Sequence, residues 1–187
     1  MGVFLSVDNM NLSQKLNVYS NLAYLGSGLV GMFIGGGALG LPFLLSTTFL
    51  TIGSWYYHKD IGTEYEHISR LFDEVGMYAV FSTLMFQSLG VTEIMVPLLS
   101  WVFLAWAAPF IHSFVTLGIL SVIIVVGMLY NFLFTEVIVA VSIFLVGFGI
   151  RHWSNKQDGH LHDNHWGHAI WHIISSVLIG YLFMVNG

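Results

Sequence analysis

Three short segments of this chain carry polar residues that an apolar sequence does not need. They are Ser54-Trp-Tyr-Tyr-His58, Asp73-Glu74 and His165-Trp-Gly-His168-Ala-Ile-Trp-His172. On a helix, positions i and i+4 share a face, so Ser54 projects with His58 and His168 with His172. Two imidazoles at that spacing can grip one ion from a single helix. A third, from His58, leaves a tetrahedral ion one open position for water, the arrangement of a catalytic zinc site. Zinc lowers the pKa of such a water toward about 7. Asp73 is then placed to act as general base or to orient the water, and Ser54 to hydrogen-bond the water or an oxyanion.

Everything around these segments is apolar. Of 187 residues, 56% are hydrophobic and 8% charged, and mean hydropathy is +0.79. A soluble domain carries about 25% charged residues. Ten acidic and five basic residues cannot cover a soluble globule of this size, so residues 1–187 read as one integral membrane domain. A net charge of −5 with dispersed basic residues offers no patch for nucleic acid. The lack of cysteine excludes disulfides, thiolate metal sites and thiol catalysis. The first twenty residues lack the basic, apolar and small-residue order of a cleaved signal peptide. Met1-Gly2-Val3-Phe4-Leu5-Ser6 fits an N-myristoylation pattern, a match short enough to arise by chance.

The elements that must position the polar residues follow from the apolar runs. A spanning helix needs about 20 mostly apolar residues. Runs bounded by polar, glycine or proline breaks predict seven, at about 19–37, 41–58, 72–89, 93–109, 112–130, 132–150 and 167–185. The fold class is therefore all-α, a seven-helix transmembrane bundle with two real loops, 59–71 and 151–166. Gly31/Gly35 and Gly36/Gly40 have the small-xxx-small spacing that lets helices pack closely. Seven spans place Lys15, Lys59, Arg70, Arg151 and Lys156, all the basic residues, on one side. Cytoplasmic loops concentrate Lys and Arg, so the N-terminus is expected in the cytoplasm. His58, Asp73 and the pair His168/His172 all fall at that same cytoplasmic level, from three different helices.

The remaining polar residues read as structural. His160, His162 and His165 lie in a polar loop where solvated histidine is the default, and His67 and His112 look like loop or interface residues. Glu74 reads as a carboxylate favoured near a helix N-terminus. Glu136 has no assigned chemistry. A retinal protein needs a lysine within the bundle, and Lys15, Lys59 and Lys156 all lie outside it. A transporter needs polar residues through the full depth, whereas these cluster on one side.

The set Ser54-xxx-His58, Leu71-Phe72-Asp73-Glu74 and His168-Ala-Ile-Trp-His172 resembles the alkaline ceramidase family. That family belongs to a superfamily of seven-span metal hydrolases with the adiponectin/progestin receptors, hemolysin III and the Per1-like proteins. Asn17-Val18-Tyr19-Ser20-Asn21-Leu22 is also similar to the ceramidase pattern. The resemblance touches the first, second, third and seventh spans. It implies a zinc ion held by His58, His168 and His172, with Asp73 and Ser54 beside the bound water. It implies hydrolysis of a lipid amide, such as ceramide, to a fatty acid and an amine, the lipid entering sideways from the bilayer. In place of the family's acidic, tryptophan-containing calcium segment the chain has only Asp8, Asn9 and Asn11. The expected orientation is that of the receptor branch, in which the alternative function is a receptor or regulator with a structural zinc.

Overall fold

A computed structural model of the chain describes residues 10–35, 37–158 and 166–187, and the side chains of all of these except 156–158. Gly36, the opening six residues, Asp8, Asn9, His160, His162 and His165 lie outside the described residues. Among the described residues every regular element is helical. In chain order these are α1 (Leu12–Ser20), α2 (Leu22–Ile34), α3 (Gly40–Asp60), α4 (Glu66–Ser88), α5 (Met95–Ala107), a 3-10 turn (Ala108–Phe110), α6 (Ser113–Tyr130), α7 (Phe134–Asp158) and α8 (Trp166–Asn186).

Local chemistry accounts for the boundaries. Asn11 caps α1, its side chain accepting from the Gln14 N–H at 2.8 Å, the expected role of a short polar side chain at that position. Asn21 keeps a right-handed helical conformation (φ −61°, ψ −23°), so α2 follows α1 with scarcely a break. The chain turns after α3 at Gly62 (φ +82°) and after α4 at Gly90 (φ +73°). Both need the left-handed conformation that glycine adopts without a side-chain clash.

The helices fall where the apolar runs place them, with three differences. The expected tail is partly helical, as α1. The fourth helix begins at Glu66, within the expected loop 59–71. Its first turn is stitched to the preceding turn by the Glu66 carboxylate, which accepts from the Gly62 N–H at 2.7 Å. Asp73 and Glu74 therefore lie about two turns inside α4 rather than opening it. Likewise α7 runs through Asp158, into the expected loop 151–166.

Three helices are long and apolar enough to cross a membrane by length and composition: Ser113–Tyr130, Phe134–Asn155 and Trp166–Asn186. Met95–Phe110 is apolar but shorter. The helices α3 and α4 are long, but they bury polar side chains inward: Ser46, Thr47, Thr51, Ser54 and His58 on one, Ser82, Thr83, Gln87 and Ser88 on the other. Several hydroxyls return their hydrogen bond to a carbonyl one turn back, as Thr51 does to Thr47 O (2.8 Å) and Thr83 to Ala79 O (2.8 Å). Buried hydroxyls satisfied in this way lower hydropathy without exposing a polar face.

The most extensive contact is between α3 and α4, and two glycines make it possible. A Cβ on Gly53 would lie 2.7 Å from the Phe72 carbonyl oxygen, and one on Gly76 2.6 Å from the Leu50 Cα. The packing reading of the first-span glycines holds for Gly31, against the Phe43 ring, and for Gly35, against Phe183. Those two rings stack at 4.0 Å in a core shared with Val80, Leu84 and Met128. α8 packs against α7, α2, α1 and α4, whereas α6 and α7 touch only lightly.

Replacing Gly76 by valine forces the α3–α4 crossing apart. We expect a loss of about 1–3 kcal/mol, read as a lower melting temperature of the detergent-solubilised chain. Gly118, with open space at its Cβ position, should accept alanine without loss; equal behaviour of the two variants would refute this account of the crossing.

Candidate metal centre

Two helices supply the site's imidazoles. His58 sits in the last turn of α3, and His168 and His172 one turn apart near the start of α8. All three are buried, at 1%, 6% and 3% exposure. Their ring centroids lie 4.9, 4.9 and 4.5 Å apart. Each offers one nitrogen such that the three nitrogens lie within 4.8 Å of one another. Neutral imidazoles brought so close without solvent are a suitable donor set for a metal ion, since metal–nitrogen bonds are about 2.0–2.1 Å. The three residues proposed as ligands from spacing are therefore brought together.

Neighbouring side chains hold the rings in place. Ser20 Oγ lies 2.9 Å from His172 Nδ1 and donates its own proton to the Asn17 carbonyl at 2.9 Å. With that hydroxyl proton committed, His172 Nδ1–H is the donor to Ser20, and Nε2 is left as the ligand atom. Second hydrogen bonds of this kind fix the tautomer of metal-binding histidines. Below the ring, the Tyr24 hydroxyl meets Ser175 Oγ at 2.7 Å, and the Tyr24 ring lies 5.8 Å from that of His172. The last turn of α3 is held by Gln14, whose amide donates to His58 O at 2.9 Å and Lys59 O at 3.3 Å.

The other two candidate residues lie on α3 and α4. Ser54 is buried one turn from His58 on α3. Asp73 is half-buried on α4, and its backbone N would be 2.9 Å from a Cβ on Gly53, so the glycine that permits the helix crossing also sets the Asp73 backbone against α3. Glu74 belongs elsewhere. Its carboxylate pairs with Arg70 at 3.2 Å in an i,i+4 ion pair, which replaces the helix-terminus role read from the sequence. His67 and His112 are exposed. Glu136, in the first turn of α7, acts electrostatically on Tyr181 at the far end of the bundle.

Three residues around the imidazoles have no counterpart among the sequence candidates, Gln14, Tyr24 and Arg151, and a fourth, Ser20, enters there only as part of the segment 17–22. Gln14, Asn17, Asn21 and Tyr24 are all buried and recur at three- and four-residue steps, a polar stripe that marks one inward face. Arg151 reads from the sequence only as a marker of topology. In the fold it shares the α8-facing side of α7 with Gly147, packed against Trp171, and with Ser154, whose Oγ accepts from the Gly167 N–H at 3.1 Å. Its charge and that of Asp73 both act on the Tyr24 hydroxyl. The three imidazoles thus lie beside a tyrosine that feels one carboxylate and one guanidinium.

Comparison with protein-family models, with curated proteins and with solved structures finds no match for this chain.

Alanine at His58, His168 or His172 should abolish stoichiometric metal uptake, measured by elemental analysis after equilibrium dialysis. Ser20→Ala should keep the stoichiometry at saturation and weaken affinity roughly 10- to 100-fold. Unchanged affinity in Ser20→Ala would remove the orienting role of that hydroxyl.

Proposed function

We infer that the chain spans a membrane seven times with its N-terminus in the cytoplasm, and that it is a zinc-dependent hydrolase of a lipid amide. The observation that carries this reading is the buried trio His58, His168 and His172, with Ser54 buried one turn from His58 and Asp73 acting electrostatically on Tyr24, whose ring lies against His172. The resemblance of these segments to the alkaline ceramidases supports the amide substrate, ceramide or a related N-acyl lipid. The coincidence of α2 to α8 with the seven apolar runs supports the span count, and the placement of every basic residue on one side supports the orientation.

When bound, zinc supplies Lewis acidity toward a carbonyl and a hydroxide nucleophile at neutral pH. The chain's own residues do the rest. The Asp73 carboxylate takes the proton released as the nucleophile forms and returns it to the departing amine nitrogen. Ser54 Oγ donates toward the negative charge developing on the carbonyl oxygen, and Arg151 provides the positive field that retains the carboxylate product. An apolar cavity of about 230 Å³ lies between α4, α6, α7 and α8, lined by Phe81, Ile124, Met128, Phe144, Ile179 and Leu182. Ile179 is seven residues beyond His172, about 10 Å along the helix, so an acyl chain lying in the cavity would present its carbonyl at the imidazoles. The light contact between α6 and α7 gives a lipid its way in.

Fatty-acid release measured by mass spectrometry over ceramides, N-acyl amines and phospholipids tests the activity. Wild type should release fatty acid from one amide class, and Asp73→Asn should abolish turnover with full metal retention. No release above the Asp73→Asn background with zinc present would assign the chain to a receptor or regulator instead. The span count has its own test, helped by the absence of native cysteine. Thr63→Cys should react with an impermeant maleimide only from the cytoplasmic side and Thr92→Cys only from the other, and labelling of both from one side would overturn the topology.

A further inference from the structure

At the junction of α1 and α2, Asn21 carries an energetic cost that nothing in the fold offsets. Its side chain is 0% exposed, yet neither Oδ1 nor Nδ2 meets a hydrogen-bond partner among the described residues. A carboxamide offers one acceptor oxygen and one NH2 donor group, and a buried polar group left unpaired costs about 1–3 kcal/mol. A leucine has the same branching and carries neither penalty. The fold uses only the backbone of Asn21, whose carbonyl accepts from the Tyr24 N–H at 3.0 Å and from Thr51 Oγ1 at 3.3 Å.

The carboxamide belongs to the face that α2 turns toward the seam between α3 and α8, the two helices that supply the imidazoles. Asn21, Tyr24, Gly28 and Gly31 recur at three- and four-residue steps along that face. On it, a Cβ at Gly28 would meet Thr47 of α3, and one at Gly31 would lie 2.6 Å from the Phe43 ring of α3 and 3.0 Å from Phe183 of α8. Two residues that touch His172 flank Asn21 in the chain: Ser20, 2.9 Å from its Nδ1, and Tyr24, with ring centroids 5.8 Å apart. From α3 the seam receives Thr51 and Ser54, both buried, and the Thr51 hydroxyl donates to Thr47 O at 2.8 Å. The charges that act on this region are Asp73 and Arg151, both felt by the Tyr24 hydroxyl. The apolar cavity lies on the other side of α8, against α4, α6 and α7. A lipid with its acyl chain there and its carbonyl at the imidazoles directs its amine portion toward α1 and α2, where Asn21 sits.

We propose that Asn21 is the residue by which the site tells an amide from an ester. Its Oδ1 accepts the amide N–H of the bound lipid, and its Nδ2 donates to an oxygen on the amine portion. Both orphaned groups are then paired by one ligand. An ester has no hydrogen at that atom and sets an oxygen lone pair against Oδ1 instead. A site built to hydrogen-bond an N–H rejects the analogue lacking it far more strongly than an apolar pocket rejects a missing methylene. The imidazoles make no such distinction, because the carbonyl they would receive is common to amides and esters. Asn21 is as deeply buried as the imidazoles, so the opening that admits the carbonyl admits the amine portion with it. The proposal rests on the lipid-amide reading of the site and gives that reading a cause within the chain.

Native mass spectrometry of the zinc-loaded Asp73→Asn chain, which consumes no probe, tests it with two lipids. They are the palmitoyl amide of ethanolamine and the palmitoyl monoester of ethylene glycol, identical except that oxygen replaces N–H. The amide should be retained at least about tenfold more tightly, toward the lower end of the cost of one unpaired buried acceptor. Adding Asn21→Leu should bring the two lipids to within about twofold of each other by weakening retention of the amide. Metal uptake by the double variant establishes that it is folded. Equal retention of amide and ester with Asn21 in place would leave the carboxamide to a structural water and overturn the proposal, whether or not the leucine variant folds. So would failure to retain the amide, or a preference that survives in the folded leucine variant. Because fatty-acid release is not read, the proposal can fail while the hydrolase reading stands. Conversely, selective retention of an amide that wild type does not cleave would uphold the role of Asn21 and count against hydrolysis.

Discussion

Keeping three imidazoles inside an apolar bundle is the constraint from which most of this structure follows. A polar group removed from water loses several kcal/mol unless a partner replaces its hydrogen bonds. The partners here come from across helix boundaries, and each one fixes a helix. Ser20 ties α1 to α8 through His172, Tyr24 ties α2 to α8 through Ser175, and Gln14 ties α1 to the end of α3. The short first helix is thereby part of the site rather than a lead-in to it. Apolar packing can bring helices together at many depths, since one methylene resembles another. A hydrogen bond to a named nitrogen admits one.

The crossing of α3 and α4 sets the second coordinate. Gly53 and Gly76 let the two backbones nearly touch, and the Asp73 backbone is held against α3 because it follows the residue against which Gly53 rests. The same crossing opens a cleft on the outer face of the two helices, since side chains flanking a backbone contact must diverge. One pair of small residues thus shapes both faces of α3, a polar interior and an apolar exterior, without any further device.

Much of this was legible in the sequence, and the parts that were not share a cause. The i,i+4 pairs Ser54/His58 and His168/His172 carry their geometry in their spacing, so the trio could be expected before any fold was known. The apolar runs located the helices because length and hydropathy are properties of a segment by itself. Helix starts were less readable: α4 begins at Glu66 because a carboxylate captures the Gly62 amide, a contact no hydropathy reading contains. Arg151 was seen as a topological charge because nothing near it in sequence indicates that Ser154 and Gly167 turn its face toward α8. Gln14 falls in the expected N-terminal tail, and Ser20 enters only as part of the segment 17–22 with no role of its own, because neither residue's spacing points to a partner. In each case the missing information was which neighbour a side chain would meet.

The three imidazoles are also spread very unevenly along the chain. One lies at position 58 and the others at 168 and 172, and the later two arrive only with the final helix. A nascent polypeptide emerging from the ribosome therefore carries only one of the site's three imidazoles through most of its synthesis, and a single ligand holds a divalent ion too weakly to retain it. Only when α8 has threaded into contact with α1, α2 and α7 does the binding pocket come into being. A bound metal would then report that α8 has been made and has docked against its neighbours. A truncated product would stay empty, and its unmet polar groups would leave it loosely folded and open to proteolytic clearance.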